Sequence, residues 1–544
     1  KVVDGALSDA NVGTQGFLSP NKTAETYTGK NPTADTLSFV NKTTGTNSLV
    51  FLKGEGSSLT VSKLSELNFS TEERLYGQAG VDANNVAILV SDKGAFSVTD
   101  VQQVNFGTQN KRFQGDQAIN SWNSGKLDFS GIKTLAFYTD GGQAINMQST
   151  SSLSIKKVDT LILDNYQSQE KAANSLYSAI QLMVMAGDNR ASADQQTVDV
   201  NVGNLVIKAD SKYTQSAGIS VTDYTKDYQG TSSIKGSFAA KNISIDGGTY
   251  GIRSNRSTEN SRDSVLDVTA ENSLVVNGGK NAVWLHNEAG QGITFNAEAA
   301  NATFTGGEEG VLSENGTASI KADSLTVSGD KNALNFDKDS SLTLANKTDS
   351  QTANTTLNGN VTVDGKATFT NQDIHQTAGT FHVDTLNASN SKLTFNTTEK
   401  DGVKVETLTG DLKLEAGASV TEKLGSAEKV AGALDSIIGA ASTLKDNFVG
   451  GEASDMTGAW TYDAATGDVS YQGSRLSPTL TAVTHANAAN LAQWRYEVNH
   501  LSERLGDVRS QNGALGAWAR VYGTDAKVSD SVSTKFTNNT IQVG

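Results

Sequence analysis

One phrase recurs along this chain in fixed register, and few folds can accept it. It reads "ISIDGGTYGIRSN" at 243–255, "LVVNGGKNAVWLHN" at 274–287, "ATFTGGEEGVLSEN" at 302–315 and "LTVSGDKNALNFDK" at 325–338. The first glycines are Gly247, Gly278, Gly306 and Gly329, in steps of 31, 28 and 23 residues. Two places before each stands an apolar residue (Ile245, Val276, Phe304, Val327), and five places after stands another (Ile252, Val283, Val311, Leu334). "FYTDGGQAIN" at 137–146 is a looser copy. Constant register around a turn, with variable length elsewhere, marks a repeat whose core geometry is fixed and whose loops are not.

Between about 59 and 396 short alternating segments follow one another, such as "SLTVSKLSELNF", "AFSVTDVQQVNF" and "TFHVDTLNASNSKLTF". Several hold two short alternations about five residues apart: Leu127/Phe129 with Leu135/Phe137, and Leu153/Ile155 with Leu161/Leu163. Period-2 alternation predicts strands that bury one face each. A propeller blade needs about 40 residues and four strands, and leucine-rich repeats need a Leu/Asn ladder that is missing here. β-Sandwich domains would space their turns at about 8–12 residues with no shared register. A parallel β-helix fits the steps best. Its corners are predicted to use Gly-Gly or Gly-Asp for positive φ, and equivalent apolar residues should stack about 4.8 Å apart in internal ladders. About 400 residues at about 25 per coil give on the order of 16 coils, a rod about 75 Å long.

Composition agrees with a thin core and much polar surface. The chain has 544 residues, 36% apolar, with 52 Gly and only 3 Pro. A net charge of −15 argues against nucleic acid as a partner. The absence of Cys suits a chain that crosses a membrane unfolded. Sequons such as "NKT", "NFS" and "NAT" are read as chance products of an Asn/Thr-rich sequence. The start "KVVDGALSDA" has no apolar signal-peptide core, so a leader has been removed or the chain is a fragment. No apolar run approaches the roughly 18 residues of a transmembrane helix.

Near 400 the texture changes. "EKLGSAEKVAGALDSIIGAASTLKDNF" (422–448) carries Val430, Leu434, Ile437, Ile438 and Leu444 at helical spacing. "GAWTYDAATGDVSYQG" (458–473) reads as a hairpin with Trp460/Tyr462 opposite Val469/Tyr471, a motif able to cap an open sheet edge. Residues 479–509 read as a helix with Leu491, Trp494, Val498, Leu501 and Leu505 on one face. Two strand-like segments end the chain.

"WRYEVNHLSERLGDVRSQNGALGAWARVYG" (494–523) resembles the linker and first barrel strand of classical monomeric autotransporters, the self-secreting proteins of Gram-negative bacteria. The likeness rests on "EVN", "ERLGDVR" and the Gly-Ala-Trp-Ala-Arg strand, and "IQVG" at 541–544 resembles the second strand. It covers about 50 residues, and the upstream order of regions matches the family's. The resemblance implies a right-handed parallel β-helix as an exported passenger, with 1–58 as its N-terminal segment (a cap or the first coils) and 59–400 as its body. It implies a junction or autochaperone region at 401–478, a linker helix at 479–513, and from 514 the start of a twelve-stranded outer-membrane barrel. Two strands cannot close a barrel, so the chain would be part of a longer polypeptide. Alone it is expected to be soluble with a frayed C-terminus. The passenger would stand on the cell surface or be secreted. Some family members cleave themselves at Asn-Asn in the linker. The matching position is Asn499, followed here by His500.

Catalytic signatures are missing. There is no Gly-Asp-Ser-Gly, Gly-Asp-Ser-Leu or Gly-x-Ser-x-Gly string, no His-Glu-x-x-His and no Arg-Gly-Asp. The five His are His286, His375, His382, His485 and His500, of which His375 and His382 could meet on adjacent coils. Asp330, Asp337 and Asp339 lack the spacing of a calcium nonapeptide or EF-hand and read as a solvated turn. Glu308/Glu309 read as solubilising turn residues rather than as a hydrolase pair. If Val283 and Leu285 face inward, Trp284 faces out, able to stack on a sugar or anchor a protein contact unless a flanking loop covers it. No cofactor and no metal are expected. The leading expectation is a non-enzymatic adhesin or self-association (biofilm) factor. Its partners would be a host surface glycan or protein, or its own copies between cells, with the outer membrane engaged through the barrel. The alternatives are a glycan-active β-helix enzyme (a polysaccharide lyase or hydrolase) and a structural stalk displaying 1–58.

Overall fold

A computed structural model of the chain describes residues 10–11, 17–19, 24–41, 48–72, 86–166, 177–185, 195–209, 215–224, 233–256, 263–287, 292–348, 351–452, 458–473, 483–491, 494, 519–529 and 533–543. It is an all-β chain with a long parallel sheet of many strands, compatible with a β-helical solenoid. Two compact units are distinguished. The first comprises 1–414 and 435–447, the second 415–434 and 448–544.

In the first unit one coil shows how the sequence builds the stack. The strand Ser264–Gly278 carries two alternating runs, and the strand Asn281–Asn287 carries a third. Their inward residues are Leu266/Val268, Leu274/Val276 and Val283/Leu285, all fully or almost fully buried. We call these runs the first, second and third walls. The next coil, Ile293–Gly306 with Glu309–Glu314, pairs with it in parallel, residue for residue along each wall. The apolar residues flanking the corner glycines therefore form two ladders, as expected. Ile245, Val276, Phe304 and Val327 are successive rungs of the second wall. Ile252, Val283, Val311 and Leu334 are rungs of the third. The paired alternations also find their place. Leu127/Phe129 and Leu135/Phe137 lie on one bent strand, Lys126–Asp140, and stack on Leu153/Ile155 and Leu161/Leu163 of Ser152–Tyr166.

Aromatic rings fill the second wall toward the N-terminal end. Phe39, Phe69, Phe106 and Phe137 are consecutive rungs with centroid separations of 5.2, 4.5 and 4.4 Å and near-parallel planes. Identical side chains in register make offset stacking almost automatic in a parallel sheet. Segments before residue 59 already belong to this stack, since Ala24–Thr28 and Thr36–Asn41 pair with Ser58–Thr71, and Ser48–Lys53 pairs with Val86–Ser91.

Two expectations are corrected. The corner glycines do not serve positive φ. Of Gly247, Gly248, Gly278, Gly279, Gly306, Gly307 and Gly329, only Gly248 is left-handed, with φ of 71°. Close approach is the reason instead. A Cβ on Gly278 would stand 1.9 Å from the Asn281 carbonyl oxygen, and one on Gly306 would stand 1.8 Å from that of Glu309. The chain folds back so tightly that the carbonyl three residues on occupies the side-chain position. Left-handed backbone is used at a different corner, between the first and second walls, by Lys63, Asp100, Gly131 and Lys157 at φ of 57°, 54°, 65° and 54°. Secondly, not every strand buries one face only. On the third wall Val86–Ser91 is buried on both faces, and Gln117–Ser121 and Gln143–Gln148 are buried on both faces beyond their first residues.

The last turns of the first unit use irregular helix. Ile437 and Ile438 lie in a π-helical turn, Asp435–Gly439, and Leu444 in a 3-10 turn, Thr443–Asn447; all three are buried. In the second unit Val430 and Leu434 are the buried residues of the helix Ala427–Leu434. There the expected hairpin forms, with Trp460 opposite Tyr471 and Tyr462 opposite Val469. The hairpin extends antiparallel onto Phe448–Glu452. Trp460 is fully buried against Phe448, and its indole N–H donates to the Glu452 carbonyl at 3.3 Å. Residues 483–491 and Trp494 are helical, with Leu491 and Trp494 each 62% exposed. Val498, Asn499, His500, Leu501 and Leu505 lie outside the described residues. The two final strands, Ala519–Ser529 and Ser533–Val543, form a two-stranded antiparallel sheet. No helix among the described residues is long and apolar enough to cross a membrane.

Candidate functional site

The outward face of the first wall carries one row that never leaves the small polar residues. From one end to the other it reads Thr26, Thr60, Ser97, Asp128, Ser154, Asp199, Ser237, Asp267, Asn296, Ser319, Thr343, Thr368, Asn387, each in register with the next. Alternation puts these side chains outside, because their neighbours, such as Leu153/Ile155 and Leu266/Val268, fill the interior. Asp and Asn are poor strand formers, so their use here runs against strand stability. Neighbouring rungs are tied laterally. Asn296 donates to the Asp267 carboxylate at 2.8 Å, and Lys156, one column over, pairs with Asp199 at 2.5 Å. The hydrogen bond to Asp199 raises the Lys156 ammonium pKa above its ordinary value. The row is a polar strip at strand spacing, open along its length.

The third wall differs. Its outward row runs Leu89, Asn120, Asn146, Gln181, Ser220, Arg253, Trp284, Leu312. Asn120, Asn146, Gln181 and Ser220 are almost fully buried. Among the described residues Asn120 has neither amide atom hydrogen-bonded, and Asn146 Oδ1, Gln181 Oε1 and Ser220 Oγ are also without partners. Gln181 does donate to the Thr222 hydroxyl at 3.2 Å.

At the end of that buried run lies the tryptophan singled out from the sequence. Trp284 does face outward between buried Val283 and Leu285, and it is half-buried rather than free. Its ring stacks on Tyr250 with centroids 5.0 Å apart. The Arg253 guanidinium stands 5.1 Å from the Trp284 centroid and 5.3 Å from that of Tyr250, within cation–π range. The indole N–H donates to Glu314 at 2.9 Å, and the same carboxylate oxygen takes His286 Nδ1 at 2.8 Å. Arg253 itself is only 3% exposed. Burial pushes its guanidinium below the ordinary arginine pKa, against a smaller opposing contribution from Tyr250. Alternation singled out Trp284 alone. Arg253 and Tyr250 could have been found by aligning "TYGIRSN" on "KNAVWLHN", which sets Arg253 directly beneath Trp284.

The remaining candidates resolve into local structure. His375 and His382 lie on different walls, in register with Thr394 and Thr362 respectively. His375 sits 3.4 Å from Asp373, which also pairs with Lys392 at 3.3 Å. Burial opposes ionisation of Asp373, yet His375 and Lys392 together hold its carboxyl below the ordinary value. His382 Nε2 lies 2.8 Å from the Asp401 carbonyl. Asp337 accepts from the Asn315 backbone N–H, the Asp339 backbone N–H and the Ser340 hydroxyl, so it organises a turn. Glu308 pairs with Lys331 at 2.9 Å, and Glu309 accepts from Asn332 and Asn335 at 2.9 and 3.0 Å. Among the described residues no group of three or more metal-ligating side chains is gathered.

No protein family, curated protein or solved structure matches this chain.

Proposed function

We propose that the chain is the surface-displayed passenger of a classical monomeric autotransporter, with its junction, linker helix and first barrel strands attached. It acts as an adhesin or self-association factor. On this reading the parallel stack is a right-handed β-helix, 401–478 is the junction, and 479–513 is the linker. The antiparallel final strands, paired from Ala519 to Val543, are what the start of a barrel requires. The exposed Leu491 and Trp494 suit a helix whose covering surface lies elsewhere.

The observation that carries the adhesive role is the unbroken small-polar row from Thr26 to Asn387. Each rung offers one or two weak hydrogen-bonding groups at a fixed spacing. A second copy, or a repetitive host surface, meets many of them at once, and affinity grows from their number rather than from any single contact. The test is display on a bacterial surface of the chain completed with a barrel. Cells should autoaggregate or gain binding to host cells, mucin or matrix, and Ser154→Arg with Ser237→Arg should abolish it. Displayed cells that neither clump nor adhere would sink the reading.

A further inference from the structure

A cleft of about 410 Å³ opens at the corner between the first and second walls. It lies where that corner carries one extra residue. Asp100, Gly131 and Lys157 are that residue on three successive coils, each at positive φ. On the next coil it is missing, since the adjoining Asn201 and Val202 pair with Lys156 and Val158. Pro32 also lines the cleft, from a loop held by the Asp35 carboxylate, which accepts from the backbone N–H groups of Lys30 and Asn31 at 2.6 and 2.7 Å. Val101 and Ile132 turn their side chains inward, each 1% exposed, and so give the cleft no apolar pocket.

The polar groups here are accessible and unengaged. Asp100, Gln102, Lys133, Lys157 and Asp159 are all exposed, and among the described residues none of the five has a side-chain hydrogen bond or ion pair. Opposite charges on adjoining coils do pair elsewhere, Lys156 with Asp199 at 2.5 Å and Lys331 with Glu308 at 2.9 Å. Lys133 and Asp159 are likewise rungs of one column, yet no ion pair joins them. Gly131 keeps the middle of the cleft free. Lys63, Asp100 and Lys157 hold the same left-handed conformation with full side chains, so the backbone does not demand glycine at this position. What matters is the missing side chain, because a Cβ on Gly131 would stand 2.8 Å from Asp100 Oδ1.

We propose that this cleft binds a neutral oligosaccharide lying along the stack. Three coils span about 10 Å, the length of about two sugar units. The rim carries no net charge, so an anion would meet Asp100 and Asp159, and a cation would meet Lys133 and Lys157. Sugar hydroxyls both donate and accept, and can use every group present. The carboxylates accept, the ammonium groups donate, and the Gln102 amide does both. A peptide would need apolar pockets or a free strand edge. With Val101 and Ile132 buried and their coils paired on both sides, the cleft offers neither. The inference does not rest on the adhesive reading, whose polar row shares none of these residues.

Saturation-transfer NMR, which detects weak binding, tests the purified chain against cellobiose, maltose, lactose, chitobiose and the acidic digalacturonate. At least one neutral disaccharide should receive saturation, and digalacturonate should receive less. Lys133→Ala and Asp159→Ala should each weaken the bound sugar about tenfold, the worth of one hydrogen bond to a charged group. Lys133→Asp combined with Asp159→Lys keeps the net charge and should still abolish binding. Gly131→Lys copies the residue at Lys157, fills the cleft and should abolish binding with the melting temperature unchanged. Should it melt early, the charge exchange carries the test. No saturation of any neutral disaccharide, a stronger signal from digalacturonate, or binding unchanged by the charge exchange or by a folded Gly131→Lys chain would overturn the site. Ser237→Arg, on the polar row, should leave sugar binding unchanged. Cells displaying Lys133→Ala should still clump. Failure of the cleft and failure of the adhesin reading are thus separate results.

Discussion

The first and third walls share one core and present opposite exteriors. Both are built from the same alternation, so Ser154 and Asn146 are equivalent in that each points away from the apolar interior. Yet Ser154 is only half-buried, whereas Asn146 is buried with its amide oxygen unpartnered among the described residues. The difference teaches that inside and outside on a strand are assigned by what the neighbouring chain does, and not by period alone. A residue that points away from the apolar core of a parallel stack can still be buried.

That contrast can be broken by moving one charge between the walls. Asn146→Lys should cost about 3 kcal/mol or more, since no described anion meets it, while Ser154→Lys should stay within about 0.5 kcal/mol; urea melts of the two variants decide. Equal costs would mean that the third wall is no more enclosed than the first. Next in size is the corner between the second and third walls. Gly278→Ala should destabilise by about 2–3 kcal/mol, because backbone occupies the Cβ position, and limited proteolysis should then cut near it. A neutral result would refute close approach as the reason for glycine.

A smaller effect is expected at Asp373 on the outward face of the second wall. Its folded pKa lies below the ordinary 3.8, so its stabilisation is fully present above that value and is lost as pH falls through the lower folded one. Asp373→Asn should therefore be less stable than the native chain at pH 6, by about 0.5–1 kcal/mol for a partly exposed pair. The gap should close only below pH 3.8. A gap that widened on acidification would reverse the sign and the explanation. The smallest effect belongs to the first wall, where Lys156→Ala should leave the melting temperature unchanged despite its contact with Asp199.

The ladders were legible because a parallel stack repeats its inward residues at one register, and Ile252, Val283, Val311 and Leu334 announce that register in plain sequence. The hairpin at Trp460 was legible through its turn. The role of the glycines was not, since composition cannot separate a residue chosen for its φ from one chosen for its missing Cβ. Nor was the burial of Asn120 and Asn146, because alternation says only that they point away from the apolar core. Trp284 was found by alternation, whereas Arg253 needed the pairing of two coils at known offset. The polar row was visible only as a general richness in Ser, Thr, Asn and Asp until registers lined those residues up.

Along the walls, each rung pairs with the coil before it and the coil after it, and this has a mechanical consequence. A tension applied at one end of such a stack is borne by the outermost coil alone. Coils should peel away one after another, each releasing its own length of chain, so extension proceeds in many small yields instead of one rupture.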